Sequence, residues 1–185
     1  MIATLRPLTY DDLLDMPDDG MRREVIGGEL IVNPTPRRAH QEVVGNVNWI
    51  LEQSLRASDW GRVFTHPVDV DLGRNDIVQP DLIVIEHSRL AIYREEGTVA
   101  GPPDIVVEIL SPSTQSVDLI RKMALYARSG VPEYWVADPD RRAFVEHVLR
   151  DDTYVPLLPD ADGLISSQIV LGLRVDPAEV FAGLD

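Results

Sequence analysis

Ile105 to Leu110 is a short β-branched run with one interruption, the carboxylate of Glu108. A run of this kind reads as a strand buried on both faces. An ionised carboxylate in that setting is costly unless a cation or several donors pair with it. The residues that follow narrow the topology further. Ser111 to Gln115 has turn chemistry, with Pro112 ending the strand and Ser113, Thr114 or Ser116 available to cap a helix. Asp118 then falls in the first helical turn, where the macrodipole favours a negative charge. Leu119, Ile120, Met123, Ala124 and Ala127 form one apolar stripe, and Gly130 with Pro132 stops the helix after Arg128. Val131 to Val136 starts the next buried strand. The stretch from Pro103 to Pro139 is thus a β-α-β unit, with an acid near the end of its first strand and Lys122 on its helix.

The chain, residues 1–185, has the size of one ordinary domain, and no linker divides it. No stretch approaches the roughly 20 apolar residues that span a membrane. Met1 to Asp12 carries no charged-then-apolar leader pattern, so a cytoplasmic protein is the expectation. Without cysteine there is neither a disulfide framework nor thiolate chemistry. The formal charge of −14 repels polyanions at long range and speaks against a general nucleic-acid coat protein. Arg22-Arg23, Arg37-Arg38, Arg121-Lys122 and Arg141-Arg142 are local basic points, each of which reads equally as solvated surface. Of seventeen basic residues only Lys122 is a lysine. It either survives by chance or sits where a compact ammonium is needed and a planar guanidinium would not serve.

Thr9 to Met16 predicts a short capped helix. Arg22 to Val32 divides around Gly27-Gly28 into a hairpin carrying Glu24 on one arm and Glu29 on the other. Asn33 to Pro36 is a rigid connector. Arg38 to Ala57 has the longest helical period, with Val43, Val47, Ile50, Leu51 and Leu55 as its stripe and His40 at its start. Arg62 to Leu72 reads as one partly exposed strand, Arg74 to Asp76 as a turn, and Leu82 to Ile85 as a doubly apolar strand. A short helix is expected at Ser88 to Tyr93. Arg142 to Leu149 and Thr153 to Leu158 pair as a hairpin, Gly163 to Val170 reads as a last edge strand, and Pro177 to Phe181 as a helical turn. The order helix, three strands, helix, strand gives an α/β fold with a mixed central sheet and an added N-terminal hairpin.

Two acids carry the chemical expectation. Asp81 stands at the mouth of one buried strand and Glu108 near the end of the next. If those strands are neighbours, the acids converge, and two close carboxylates cannot both ionise cheaply without a cation between them. Hard oxygen ligands without cysteine favour Mg²⁺ or Mn²⁺ over zinc. The residues have plainer readings too. Asp81 after Pro80 could shape a turn, Glu108 could end an exposed strand, and Lys122 could pair with Asp118 across one helical turn.

Three segments taken together resemble a known family: Gln79-Pro-Asp81-Leu-Ile-Val-Ile, Pro103-Asp-Ile-Val-Val-Glu108-Ile-Leu-Ser-Pro-Ser-Thr, and Asp118-x-x-x-Lys122-x-x-x-Tyr126-x-x-x-Gly130-Val-Pro-Glu-Tyr-Trp-Val. With Arg23-Glu24-Val-Ile-Gly-Gly-Glu29-Leu and Pro34-x-Pro36-x-x-x-His40, they are similar to the Uma-two-type restriction endonucleases of the PD-(D/E)XK nuclease superfamily. The resemblance spans about Tyr10 to Pro139. It implies a restriction-endonuclease-like core and a Mg²⁺- or Mn²⁺-dependent endonuclease acting on nucleic acid, with DNA as the expected substrate. Asp81 matches the Asp of the superfamily's Pro-Asp motif and Glu108 its second metal-binding acid. Leu110 stands where a catalytic lysine is usual, and Lys122 resembles that lysine relocated to the helix. Glu24, Glu29 and His40 match family positions as supporting residues. A homodimer is expected because related nucleases commonly cut two strands in pairs. A catalytically weak nuclease-like module that binds or regulates a partner is the alternative.

Overall fold

The computed structural model describes residues 6–17, 19–111 and 117–184, apart from the side chains of Val117 and Asp118. The expected cap residues Ser113, Thr114 and Ser116, the stop at Pro112 and any pairing of Asp118 lie outside that description.

Helix α1 (Tyr10–Leu14) starts where Thr9 donates from its backbone N–H and its hydroxyl to Asp12, at 2.8 and 2.9 Å. Strands β1 (Arg22–Ile26) and β2 (Glu29–Asn33) form the expected hairpin, with Ile26 opposite Glu29. Gly27 and Gly28 hold φ of 62° and 81°, the left-handed values a two-residue hairpin turn requires. A side chain on Gly28 would also strike Pro7, 2.4 Å from the missing Cβ. Helix α2 (Arg38–Ser58) buries Val43, Val47, Leu51 and Leu55, and Ile50 packs partly buried beside them.

The strands that follow are β3 (Gly61–Thr65), β4 (Asp69–Gly73), β5 (Asp76–Val78) and β6 (Leu82–Glu86). A 3-10 turn (His87–Ile92) and β7 (Thr98–Ala100) lead to β8 (Ile105–Ile109), α3 (Val117–Ser129) and β9 (Glu133–Asp138). The chain closes with β10 (Ala143–Arg150), β11 (Thr153–Pro156), β12 (Ile165–Ser166), β13 (Arg174–Val175) and α4 (Pro177–Val180).

Six strands make one mixed sheet in the order β11-β10-β9-β8-β6-β3. Strands β8 and β9 are parallel, joined by α3, and the other pairs are antiparallel. The expected succession of helix, three strands, helix and strand is therefore α2, β3, β6, β8, α3, β9. A second sheet runs β2-β1-β5-β4-β7. One face of the six-stranded sheet packs Leu82, Val84, Ile105, Val107 and Trp135 with the α2 stripe and Val180 of α4. Its other face packs Ile83, Ile85, Val106 and Tyr134 with Leu125 and Tyr126 of α3 and with Val70, Val78 and Val99 of the second sheet. That double cover is why β6, β8 and β9 are apolar on both sides. Among the described residues no helix is long and apolar enough to cross a membrane.

Some expectations change. Arg62 to Leu72 is two strands in different sheets, because Pro67 has no ladder N–H and the chain leaves one sheet there for the other. Strands β5 and β7 went unread, each being too short to show a period. Gly163 to Val170 yields only β12, which pairs with β13 instead of extending the main sheet. On α3, Ile120 is 70% exposed and Ala124 is exposed, while Lys122, Leu125 and Tyr126 are buried. Leu119, Met123 and Ala127 of the expected stripe pack on the core, so the stripe is right in part, and Ile120 and Ala124 fall outside the buried face.

Gly61 opens β3 where a Cβ would lie 2.5 Å from the Ile85 carbonyl oxygen and 3.1 Å from the Glu86 Cα. Both neighbours are backbone of the paired strand β6, so neither can yield without breaking the ladder. Gly61→Ala is expected to cost about 1–3 kcal/mol, in the range of other overpacked sites, read as a lower urea midpoint at unchanged slope.

Candidate active site

The β6–β8 register pairs Leu82 with Val107, and one step further it sets Asp81 opposite Glu108. Residues directly opposite on antiparallel strands hold their Cβ atoms about 5 Å apart. The sheet thus brings the two acids together. Val107 and Ile109 point to the α2 side, so Glu108, between them, faces α3 and the second sheet. There Lys122 and Tyr126, one helical turn apart, both reach it. Lys122 Nζ lies 3.0 Å from Glu108 Oε1, and the Tyr126 hydroxyl donates to the same oxygen at 2.7 Å. Lys122 is only 6% exposed, which rules out the surface reading of this residue.

Glu24 enters from the hairpin and is fully buried. Its Oε1 accepts from Lys122 Nζ at 2.8 Å and from the Gln79 N–H at 2.7 Å, and its Oε2 accepts from Asn33 at 2.7 Å. Lys122 therefore bridges two carboxylates. Asp81 is held from three sides. Its Oδ2 accepts from the Ile109 N–H at 2.8 Å and lies 3.2 Å from His40 Nε2, and its Oδ1 accepts from Arg22 at 2.8 Å. Glu29 is not brought in. It sits at the hairpin turn, exposed, paired with Arg121 at 2.7 Å.

Arg22 and Tyr126 are site residues to which the sequence assigned no role, Tyr126 standing only as a position in the family pattern. Arg22 is a cation on the same face of β1 as Glu24, two positions apart, and that spacing was the available signal. The reading of Arg22 as solvated surface is overturned: its side chain is 14% exposed and meets Asp81, Glu24 and Glu108. Tyr126, four residues after Lys122, carried the same kind of signal on α3.

Burial disfavours ionisation of every group here, and the partners decide the outcome. For Asp81, the hydrogen bond from His40, the Arg22 charge and the Ile109 N–H overcome burial and hold the carboxyl below its usual range. Glu24 is likewise lowered against burial, by Lys122 and Arg22. Glu108 goes the other way: burial, with Asp81 and Glu24 adding to it, outweighs Lys122 and Arg22 and raises it. Burial works against the Lys122 ammonium, but Glu108 and Glu24 raise its pKa and keep the charge in place.

The acids open onto a cavity of about 190 Å³. Arg22, Arg37 and Lys122 line it beside Asp81, Glu108 and His40, with Pro34 to Pro36 at its side. Among the described residues no group of three His, Asp or Glu side chains is arranged to hold a metal ion by itself. Asp81 and Glu108 do converge, and Mg²⁺ or Mn²⁺ is commonly held by one or two carboxylates, with water or substrate phosphate supplying the rest. Among the described residues, each acid also keeps an oxygen with spare accepting capacity, Asp81 Oδ1 and Glu108 Oε2. The donor set fits such an ion.

A comparison with curated proteins gives no match. Among solved structures, one described as "a putative nuclease belonging to DUF820", from Anabaena variabilis ATCC 29413, aligns with a TM-score of 0.79. The alignment covers 97% of this chain and 100% of that one at 22% identity, a likeness of fold. The two chains share the restriction-endonuclease-like α/β architecture. The profile of the Uma2 family, described as "Putative restriction endonuclease", matches residues 10–178, and the chain belongs to that family.

Proposed function

We propose that this protein is a metal-dependent endonuclease of the PD-(D/E)XK type that hydrolyses phosphodiester bonds in DNA. Asp81 and Glu108 would hold Mg²⁺ or Mn²⁺. The observation that carries the reading is the buried cluster itself: two acids opposed across neighbouring strands, with a lysine ammonium fixed between Glu108 and Glu24. A structural role alone gives no reason to bury so many charges at the wall of a cavity, since apolar residues of similar volume usually serve the fold as well or better.

Bound there, the ion would polarise a phosphoryl oxygen and lower the pKa of a bound water. The chain's own groups do the remainder. Lys122 lines the cavity with a permanent positive charge, suited to stabilising charge that develops on the phosphate as water adds and the leaving oxygen departs. Glu24 and Tyr126 fix the positions of Lys122 and Glu108. His40 and the Ile109 N–H orient Asp81. Arg37, exposed at the cavity wall, is placed to meet the backbone of an approaching strand. These basic walls answer, locally, the objection raised by a net charge of −14. A pair of such chains would cut both strands of a duplex.

The test joins metal binding to cleavage. Millimolar Mn²⁺ is expected to raise the melting temperature by binding the native state, and Asp81→Asn to abolish most of that rise. Wild type is expected to nick or linearise closed plasmid with Mg²⁺ or Mn²⁺, and Asp81→Asn to leave it intact. A wild-type protein that neither shifts in melting temperature nor cuts plasmid or single-stranded DNA would turn the reading toward a nuclease-like binding module.

A further inference from the structure

Arg22 stands in the place where the metal is expected. Asp81 Oδ2 is already satisfied by the Ile109 N–H and His40, and Glu108 Oε1 by Lys122 and Tyr126. A carboxylate oxygen offers about two lone-pair sites, so those two have nothing left for an ion. Among the described residues, the oxygens that retain capacity are Asp81 Oδ1 and Glu108 Oε2. Both face the Arg22 guanidinium, with Nη1 2.8 Å from the first and Nη2 3.7 Å from the second. Nη2 is also 3.7 Å from Glu24 Oε1 and donates to the Gln79 carbonyl oxygen. One guanidinium thus spans all three carboxylates from the hairpin side while Lys122 spans two of them from the α3 side.

The charge count points the same way. With all three ionised, Asp81, Glu24 and Glu108 contribute three negative charges, against two positive ones from Arg22 and Lys122. A divalent ion added to that set would make the cluster net positive in a low-dielectric site, with the ion hard against a guanidinium. If Arg22 leaves the acids, three carboxylates face Lys122 and the divalent ion, and the sum returns close to neutral. There is somewhere for it to go. Arg22 lines both the cavity at the acids and a second one of about 420 Å³, which Gln41, His66 and Gln79 also line; Asn33 and Pro34 to Pro36 border both.

We infer that Arg22 is a built-in counter-ion that occupies the metal seat and must turn away when a divalent cation binds between Asp81 and Glu108. The inference rests on the metal-dependent nuclease reading and adds a control to it. The guanidinium keeps the acids together and the cluster folded without metal. It also sets a threshold, because the ion has to displace an internal cation before it can bind. Once displaced, the guanidinium stands on the lining that the two cavities share, where a substrate phosphate would meet it.

Calorimetric titration of the apo protein with Mn²⁺ at fixed salt provides the test, on wild type, Arg22→Gln and Asp81→Asn. Wild type is expected to bind, Asp81→Asn to lose binding, and Arg22→Gln to bind roughly ten- to a hundredfold more tightly than wild type, because a unit charge next to the ion is gone. Equal or weaker binding by Arg22→Gln, with wild type binding normally, overturns the counter-ion role and leaves the metal site standing. Absence of binding in wild type overturns the metal site and the counter-ion role with it. Removing Arg22 also leaves Asp81 with one partner fewer, so a measurement on wild type alone guards against a variant that fails to fold. In a crystal of wild type soaked with Mn²⁺, the inference requires anomalous density between Asp81 and Glu108 with Arg22 turned off Asp81. Density there with Arg22 still bonded to Asp81 overturns it.

Discussion

Lys122→Arg is expected to fold, to retain Mn²⁺ binding, and to lose cleavage by on the order of a hundredfold. The ammonium at this position meets Glu24 and Glu108 from a compact point, at 2.8 and 3.0 Å, in a side chain that is 7% exposed. A guanidinium keeps the charge but is wider and planar, and its donors diverge. Reaching the same two oxygens moves the centre of charge by about 1 Å, a displacement that can lower a rate by on the order of a hundredfold. Seating the larger group should cost about 1–3 kcal/mol of stability, as other overpacked sites do. Single-turnover cleavage of plasmid, alongside a urea titration, separates the two effects. Unchanged cleavage in a stably folded variant would mean that the ammonium holds the acids in place and does nothing for the phosphate.

The second large effect is expected outside the cleft, at a residue that does not line it. Glu146 on β10 is fully buried beside Trp135, its cross-strand partner, and among the described residues neither of its carboxyl oxygens has a hydrogen-bond partner. Burial, together with the nearby Glu133, pushes its pKa up to about 8 from an ordinary value of 4.5. Below pH 4.5 the folded and unfolded chains both carry the proton, and Glu146 brings no pH-linked loss. Between about 4.5 and 8 the unfolded chain releases its proton and the folded chain does not, so stability falls as pH rises. Above about 8 the full loss is reached. Glu146→Gln removes this linkage at nearly constant shape. It is expected to match wild type near pH 4 and to exceed it by a few kcal/mol near pH 8. Urea unfolding at the two pH values checks this. A difference that does not vary with pH would mean that Glu146 ionises in the folded protein as it does in water.

The contrast between these two residues shows what the sequence makes legible. Strands β6, β8 and β9 were readable because burial on both faces leaves no polar alternation, and Asp81 and Glu108 stood out as acids where apolar residues were due. Lys122 was visible through its rarity and its match to the family pattern, while the helical period pointed away from it. The period placed Leu119, Met123 and Ala127 correctly but not the whole face, because a buried lysine and tyrosine share the core face of α3 while Ile120 and Ala124 take exposed positions. Arg22 was hidden for a different reason. A cation in a short hairpin next to Arg23 looks solvated until the two sheets are placed together. Glu146 resisted reading altogether: on β10 it occupies an alternating position that polar residues also take on solvated strands. Glu29 shows the opposite error, since it shares a family position and an arm of the same hairpin, yet faces away from the cleft.

The placement of Arg22 and Glu24 on one sheet, and of Asp81 and Glu108 on the other, has a kinetic consequence. Lys122 and Glu24 are separated by 98 positions in the chain, so their bond closes one of the longest loops in the molecule. Such contacts are entropically late, and the cleft cannot exist in any intermediate in which the hairpin is undocked. The same seam is a natural place for the folded protein to open locally. The amide of Gln79, held by Glu24, and that of Ile109, held by Asp81, mark its two banks. Their hydrogen exchange should quicken together, ahead of the buried strands around them, in conditions where the chain is still folded but the two sheets have begun to part.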